Sequence, residues 1–187
     1  MRTADFRKEG FWLDYGHRKP FEDRRALLAG TLLGEVQGVH GNRLLLTPVG
    51  LSPGVLYSGA LQVKPDQFLI VASRQAAPRI PEALANAAAG DSLYQVLCLQ
   101  EPHLGYREID QQVGKALDRL FAMAAEVIVN VTGGTTVMQY AVERLAARAR
   151  RLGAAVRRGA LIDRRSPAEQ RANPYVLGDI VWLDEAN

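Results

Sequence analysis

The sequence is poor in the residues that build disulfides, metal sites and membrane spans. It has one cysteine, Cys98, within an apolar segment, which excludes an intrachain disulfide and is typical of a buried, unreactive thiol. Its three histidines, His17, His40 and His103, follow no metal-site spacing, so we expect neither a metal nor another cofactor. No apolar run approaches the roughly 20 residues that cross a bilayer, and the charged start Met1–Arg7 leads into no signal-peptide core. We therefore expect a cytoplasmic protein without membrane attachment.

Two glycine-rich signatures of nucleotide binding are also missing. No G-x-x-x-x-G-K-S/T sequence occurs, which argues against a P-loop ATPase, and no G-x-G-x-x-G opens the first predicted strand–helix unit. The 187 residues suffice for one α/β domain with a sizeable core and a smaller appendage. The net charge is only +3, but arginines crowd the C-terminal third and raise the local positive potential there. They are Arg144, Arg148, Arg150, Arg151, Arg157, Arg158, Arg164, Arg165 and Arg171.

Beyond residue 41, apolar strand patterns alternate with amphipathic helical patterns. The predicted strands are Arg43–Val49, Gln67–Ala72, Leu93–Leu99, Val127–Val131, Ala155–Ile162 and Asp179–Leu183. The predicted helices are Val55–Val63, Ile80–Ala89, Glu108–Met123 and Val137–Leu152. This alternation predicts an α/β fold with a doubly wound, mostly parallel six-stranded sheet and helices on both faces.

Residues 1–41 have a different character and are expected to form a separate N-terminal arm, followed by one domain over residues 42–187. Arg2–Lys19 is polar and aromatic without a clean period, whereas Phe21–Gln37 carries leucines at helical spacing. We expect a short amphipathic helix or a hairpin-like, irregular arm that packs on the domain or on a partner subunit.

The most informative segment is the glycine turn Asn130–Thr136, which reads Asn-Val-Thr-Gly-Gly-Thr-Thr between the fourth strand and the last long helix. A turn of this composition directs backbone N–H groups and hydroxyls to one point above a helix N-terminus, where a phosphate is stabilised. The alternative is a tight strand–helix turn in which Thr132 or Thr135 only caps the helix.

Two other strand ends bear on function, because ligands of such sheets bind at the carboxyl ends of the strands. The turn after the first strand holds Ser52, which either contacts a ligand or simply caps the following helix. The third turn is Ser73-Arg74-Gln75. The expected ligand-binding residues are Gly50, Leu51, Ser52, Pro53, Ser73, Arg74, Asn130, Thr132, Gly133, Gly134, Thr135 and Thr136.

The glycine turn together with Met138 resembles the N-x-T-G-G-T-K/R-x-M signature of CRISPR-associated Rossmann-fold (CARF) domains. Val49–Gly54 resembles the first ligand loop of that family, and the likeness spans residues 43–183. The resemblance implies a Rossmann-like domain whose homodimer binds cyclic oligoadenylate, the second messenger of type III CRISPR antiviral defence, across the two-fold axis. Cyclic tetra-adenylate is the ring we expect first.

The chain departs from this signature at Thr136, where the family has a basic residue. The resemblance therefore leaves open a sensor that passes the signal to an effector protein or domain, and a metal-independent ring nuclease that ends the signal. In the nuclease, Ser52 and Arg74 are the catalytic candidates, acting by positioning and electrostatic stabilisation. A third hypothesis, drawn from the arginine-rich C-terminal third, is a nucleic-acid-binding regulator. No effector domain is expected in this chain, and the sequence alone leaves open whether the chain is a whole protein or an excised domain.

Two surface features of the last long helix carry further expectations. Met138 and Tyr140 lie about 200° apart on a helix, so Tyr140 is expected to meet a partner subunit, or alternatively a neighbouring helix of its own chain. Arg144, Arg148 and Arg151 share one helix face, which is expected to be solvated and to attract a ligand only at long range.

Overall fold

The structure is a computed structural model, and it describes residues 12–13, 42–112 and 115–184. The predicted N-terminal arm, including the helical pattern of Phe21–Gln37, lies outside the described residues apart from the short strand β1, Trp12–Leu13.

One sheet organises the described chain. Its further strands are β2 (Arg43–Val49), β3 (Gln67–Ser73), β4 (Leu93–Leu99), β5 (Glu126–Asn130), β6 (Ala155–Ile162) and β7 (Asp179–Trp182). The order across the sheet is β1-β4-β3-β2-β5-β6-β7. Strands β2 to β6 pair in parallel, whereas β7 is antiparallel to β6 and β1 is antiparallel to β4. The predicted six-stranded, mostly parallel sheet is confirmed, and the two-residue β1, which the sequence did not indicate, extends its edge.

Helices cover both faces of this sheet, as predicted. They are α1 (Gly54–Val63), α2 (Ile80–Asn86), α3 (Tyr106–Gln112), α4 (Lys115–Met123), α5 (Thr136–Arg151) and α6 (Pro167–Ala172). Alternate residues of β2 show the two layers, because Leu44 and Leu46 pack under α3, α4 and α5 whereas Leu45 packs under α1 and α2. All three leucines are fully buried, so the strand is apolar on both faces, as expected for the centre of a parallel sheet.

The helix boundaries differ from the predicted ones at a few places. The predicted helix Glu108–Met123 corresponds to α3 and α4, which lie on either side of residues 113–114. The short helix α6 was not predicted, although Ser166 caps it through the N–H of Glu169. Among the described residues, no helix is both long and apolar enough to traverse a bilayer.

The strand order places a switch point between β2 and β5. From β2 the chain continues to β3 and β4 on one side, whereas β5 lies on the other side and continues to β6. The loops that leave the carboxyl ends of β2 and β5 therefore diverge, and a crevice opens between them, where ligands of open α/β sheets bind.

Candidate functional site

A cleft of about 400 Å³ lies at this switch point. Four loops build it, and they follow β2, β3, β4 and β5. Its lining residues are Gly50, Leu51, Ser52, Val55, Ser73, Gln75, Pro102, His103, Gly133, Gly134, Thr135 and Met138.

The glycine turn forms one wall of the cleft, and its two glycines both adopt left-handed backbone conformations. The φ angles are 91° at Gly133 and 66° at Gly134, a region that residues with a Cβ rarely occupy. A Cβ on Gly134 would lie 2.7 Å from Met138 Sδ, and one on Gly133 would lie 3.3 Å from Val55. The turn thus needs glycine both for its conformation and for its close packing, and it presents bare backbone to the cleft.

Asn130 fixes the start of the glycine turn from within the protein. Its side chain is buried, and its Nδ2 donates to Thr47 Oγ1 at 2.9 Å and to the carbonyl of Thr132 at 3.0 Å. Its Oδ1 accepts from the N–H of Thr132 at 2.9 Å. Thr132 Oγ1 in turn accepts from the N–H of Leu161 on β6 at 2.9 Å. The polar side chains of Asn130 and Thr132 are therefore used to hold the turn, and neither residue lines the cleft.

Thr135 joins the glycine turn to α5 and to the loop after β4. It is the N-cap of the helix, and its hydroxyl oxygen accepts from the N–H of Met138 at 3.4 Å while donating to the carbonyl of Pro102. The capping role considered for Thr135 is therefore observed, together with a place in the cleft. The first turn of α5 carries no acidic residue, so nothing there opposes the partial positive charge of the helix N-terminus.

The loop between β2 and α1 forms the facing wall. The carbonyl of Leu51 accepts a hydrogen bond from Arg79 Nη1 at 2.6 Å, which ties the loop to the segment before α2. Pro53 is the N-cap of α1, and no side chain caps this helix. The hypothesis that Ser52 caps α1 is therefore wrong. The exposed Ser52 hydroxyl lines the cleft and has no hydrogen-bond partner among the described residues.

The predicted ligand-binding residues divide into two groups. The structure brings seven of them together in the cleft: Gly50, Leu51, Ser52, Ser73, Gly133, Gly134 and Thr135. The other five do not line it: Pro53, Arg74, Asn130, Thr132 and Thr136. Arg74 and Thr136 are exposed beside it.

Sequence reasoning missed five residues of the cleft. They are Val55, Gln75, Pro102, His103 and Met138. The position of Pro102 and His103 in the sequence could have identified them, because they follow β4 and so lie at the same edge of the sheet as the other loops of the cleft. His103 was judged only by its spacing from other histidines, which is a criterion for metals and not for other ligands.

The lining of the cleft carries no permanent charge. It contains no Asp, Glu, Lys or Arg, and His103 is its one ionisable side chain. Within the described part of the chain, no group of three His, Cys, Asp or Glu residues could hold a metal ion. Near this edge, burial raises the pKa of the Cys98 thiol, an effect that the Arg74 guanidinium partly offsets and the Glu108 carboxylate reinforces. The thiol is 1% exposed, so the expectation of a buried cysteine is confirmed.

The arginine face of α5 is not simply solvated. Arg144 Nη2 lies 2.8 Å from Asp110 Oδ1 on α3, and Arg148 holds the carboxylate of Asp118 on α4 through Nε and Nη2. These bonds keep the pKa of Asp118 below its ordinary value. The expectation of a solvated face therefore holds for Arg144, which stays exposed beside Asp110, and is wrong for Arg148, which is half-buried against the carboxylate of Asp118.

Tyr140 packs within its own chain. Its ring meets that of Tyr106 edge to face, with the centroids 5.2 Å apart, and 40% of the residue is still exposed. The contact with a neighbouring helix is thus present in the single chain, and the exposed remainder is open to a partner.

Comparison with known proteins supports the fold. No protein-family model and no curated protein matches this sequence. Among solved structures, Can2 from Sulfobacillus thermosulfidooxidans in complex with cyclic tetra-adenylate is similar with a TM-score of 0.53 and 12% identity, over 78% of this chain and 36% of that one. A type III CRISPR defence DNA nuclease activated by cyclic oligoadenylate is similar with a TM-score of 0.50 and 18% identity, over 86% of this chain and 24% of that one.

Enterococcus italicus Csm6 bound to cyclic hexa-2'-fluoro-hexa-dAMP gives a TM-score of 0.48 and 14% identity, over 71% of this chain and 36% of that one. The chain thus spans between 24% and 36% of the length of these structures. The resemblance that the glycine turn indicated is confirmed at the level of the fold.

Proposed function

We propose that this chain binds cyclic oligoadenylate in the cleft, as a sensor module of type III CRISPR antiviral signalling. The observation that carries the proposal is the position of the glycine turn. It lies at the switch point of a sheet, directly before the N-terminus of the longest helix described. Two proteins of similar fold are described as complexed with, or activated by, such a ligand.

The chemistry of the cleft suits a ligand made of phosphates and sugars. Bare backbone at Gly50, Gly133 and Gly134 permits close approach of a phosphate to main-chain N–H groups. The helices α1 and α5 both begin at the cleft, and neither has an acidic residue in its first turn. An anion in the cleft therefore meets partial positive charge from both walls and no fixed negative charge from the lining.

The remaining predicted residues receive roles consistent with their positions. Asn130 and Thr132 are proposed to hold the glycine turn in shape, while Ser52 and Ser73 offer hydroxyls to the ligand. Thr135 is proposed to shape the wall of the cleft, because its hydroxyl is already bonded to Pro102 and Met138. We propose that the outer rim of the cleft is formed by Pro53, Arg74 and Thr136. A cyclic ligand too large for one cleft would extend over this rim.

We further propose that the ligand lies between two copies of the chain, with residues 42–187 as the binding domain and the N-terminal arm as a separate element. Large apolar side chains are exposed on the loops that build the cleft: Leu51, which lines it, is 55% exposed, and Leu104, which follows His103, is 80% exposed. Tyr106, at the start of α3, is 42% exposed. A symmetric ring is matched by two identical half-sites across a two-fold axis. Cyclic tetra-adenylate is the first candidate, and an effector protein or domain would receive the signal.

A ring nuclease is the second candidate function, and the unpartnered hydroxyl of Ser52 favours it. In this reaction a ribose 2′-oxygen attacks the adjacent phosphorus, the bond to the 5′-oxygen breaks, and a proton passes from the 2′-hydroxyl to the leaving oxygen. The products are a 2′,3′-cyclic phosphate and a 5′-hydroxyl. Ser52 could position the phosphate, and Arg74 would have to reach in from the rim.

The nucleic-acid-binding regulator receives less support from the structure. Several arginines of the C-terminal third form ion pairs with carboxylates. They are Arg144, Arg148, Arg158, Arg164 and Arg165. Such pairing lowers the positive potential that a polyanion would meet.

One experiment separates these functions. The chain is incubated with labelled cyclic tetra-adenylate and, in parallel, with cyclic hexa-adenylate and a linear tetra-adenylate. Retention of intact ring supports the sensor, whereas linear products with a 2′,3′-cyclic phosphate support the nuclease. Equal affinity for linear and cyclic forms would favour the regulator, and absence of binding to any ring would refute the proposal. Sedimentation at micromolar concentration tests the dimer, and a monomer with bound ligand would contradict it.

A further inference from the structure

His103 is the one side chain of the cleft that can change its charge. The polar lining otherwise consists of neutral groups from Ser52, Ser73, Gln75 and Thr135. Imidazole becomes a cation with two N–H donors when it takes up a proton. His103 is therefore the one lining residue that can offer a positive charge to a phosphate in this cleft.

The turn that carries His103 is firmly built. The carboxylate of Glu108, in the first turn of α3, accepts from the N–H of Gln100 at 2.8 Å and from the N–H of Glu101 at 3.2 Å. The carbonyl of Glu101 accepts from the N–H groups of Leu104 and Gly105, at 3.2 and 2.7 Å. A Cβ on Gly105 would lie 2.6 Å from that carbonyl oxygen, so the turn is too tight for a larger residue. The backbone of His103 is thereby held in one place.

The same turn is bonded directly to the glycine turn. The hydroxyl of Thr135 donates to the carbonyl of Pro102, the residue before His103. As the N-cap of α5, Thr135 also accepts a hydrogen bond from the N–H of Met138 through its Oγ1. The residue before His103 is therefore bonded to the N-cap of α5, the helix at whose N-terminus we place the phosphate.

Charged residues of three elements lie near the turn that carries His103. Glu101 belongs to the turn itself, Glu108 on α3 is bonded to it, and Arg74, in the loop after β3, acts together with Glu108 on Cys98 at the end of β4. From the other walls, residues 50–53 and the glycine turn contribute no ionisable side chain. The imidazole of His103 is exposed and makes no hydrogen bond or ion pair within the described part of the chain, so it is available to a ligand.

We infer that His103 contacts a phosphate of the bound cyclic oligoadenylate and supplies, when protonated, the positive charge that the basic residue of the signature would supply at Thr136. This inference rests on the proposed function. It assigns to the loop after β4 a contact that the glycine turn lacks, because the Thr135–Pro102 bond holds the turn that carries His103 against the glycine turn.

The test measures affinity for fluorescent cyclic tetra-adenylate at about pH 6 and about pH 8. The proteins are the wild type, His103→Gln, His103→Lys and Arg107→Gln. Arg107 is exposed in the first turn of α3 and does not line the cleft, so its variant removes a nearby positive charge without touching the ligand. We expect His103→Gln to weaken binding about tenfold at the lower pH, as for the loss of one charge-assisted hydrogen bond, and little at the higher pH.

His103→Lys keeps its charge at both pH values and should bind tightly at both, whereas Arg107→Gln should follow the wild type. Equal affinity of the wild type and His103→Gln at the lower pH would overturn the inference while leaving the proposed function intact. Loss of binding by His103→Lys as complete as that of His103→Gln would also overturn the inference and leave the proposed function intact, since the shape of the imidazole rather than its charge would then matter. A wild type that binds no cyclic oligoadenylate at either pH would refute the proposed function itself.

Discussion

Gly50 and Gly134 face each other across the switch point of the sheet, and a Cβ built on Gly50 would lie 3.0 Å from Gly134 Cα. Gly50 directly follows β2, and Gly134 lies in the turn after β5, the strand beside β2, 84 positions later in the chain. The two backbones meet here without side chains between them, so the distance between these two walls of the cleft depends on main-chain contact at this point.

Replacing Gly50 with alanine should therefore open the cleft. Gly50 does not lie in the left-handed region, so the substitution adds no backbone strain and tests close approach only. We expect a loss of about 1 kcal/mol in the free energy of unfolding, at the lower end for overpacking, and a loss of about tenfold or more in ligand affinity, or about 1.4 kcal/mol.

Gly90→Ala is the matched control, because its Cβ would make only an ordinary contact, 3.6 Å from Ala85 Cα. Urea denaturation and a binding titration on both variants measure the effects. Unchanged affinity in folded Gly50→Ala would show that the contact does not shape the site.

Replacing Gly134 with alanine should abolish binding while leaving most of the fold intact. The left-handed φ of 66° makes any Cβ unfavourable, at a cost of about 1–2 kcal/mol, and the Cβ would also displace Met138 Sδ. Gly153→Ala carries the same conformational cost, since its φ is 90°, but it has open space around it at the far end of α5. Gly134→Ala should therefore lose at least as much stability as Gly153→Ala, because it adds the contact with Met138 to the same conformational cost, and only Gly134→Ala should lose affinity. Equal affinities would place the ligand elsewhere.

Replacing Asn130 with alanine should reduce stability and not only binding. The substitution leaves Thr47 Oγ1 and both backbone groups of Thr132 without their buried partner. We expect a decrease of about 1–3 kcal/mol in the free energy of unfolding. Asn86→Ala removes an exposed amide that bonds only to the carbonyl of Glu82, and it should change stability by less than about 0.5 kcal/mol. Equal stabilities by chemical denaturation would show that Asn130 does not hold the turn.

Replacing Arg148 with glutamine should destabilise the protein in a pH-dependent way. The hydrogen bond from Arg148 lowers the pKa of Asp118 below its ordinary value of 3.8. A carboxyl with a lowered pKa in the folded state stabilises the fold above its unfolded-state pKa, and this contribution is lost as the pH falls through the folded-state pKa. The wild type should thus exceed Arg148→Gln in stability at neutral pH, and the difference should shrink below about pH 4.

Arg151→Gln is the control for this prediction, because Arg151 is exposed on the same helix and forms no ion pair in the described part of the chain. Its stability should follow that of the wild type at every pH. A difference for Arg148→Gln that persists unchanged into acid would mean that packing, and not the ion pair, is responsible.

The strands, most helices and the glycine turn could be predicted from the sequence because each is specified by residues close together in the chain. Leu44, Leu45 and Leu46 are consecutive and apolar, which indicates a strand buried on both faces wherever it lies in the sheet. Gly133 and Gly134 between a strand and an amphipathic helix indicate a tight turn at a helix N-terminus. Such signals depend on neighbours within a few residues, so they can be read from the chain directly.

Only the tertiary structure decided which of these segments meet. Strand order brought the loop after β4 to the glycine turn, so that Pro102 bonds Thr135 across 33 positions and His103 enters the cleft. It also gave Arg148 a partner 30 positions away in Asp118. These contacts join residues whose separation in sequence carries no periodic signal. The alternation of burial along the chain determined the kind of fold, and the order in which the strands pair determined the residues that share the site.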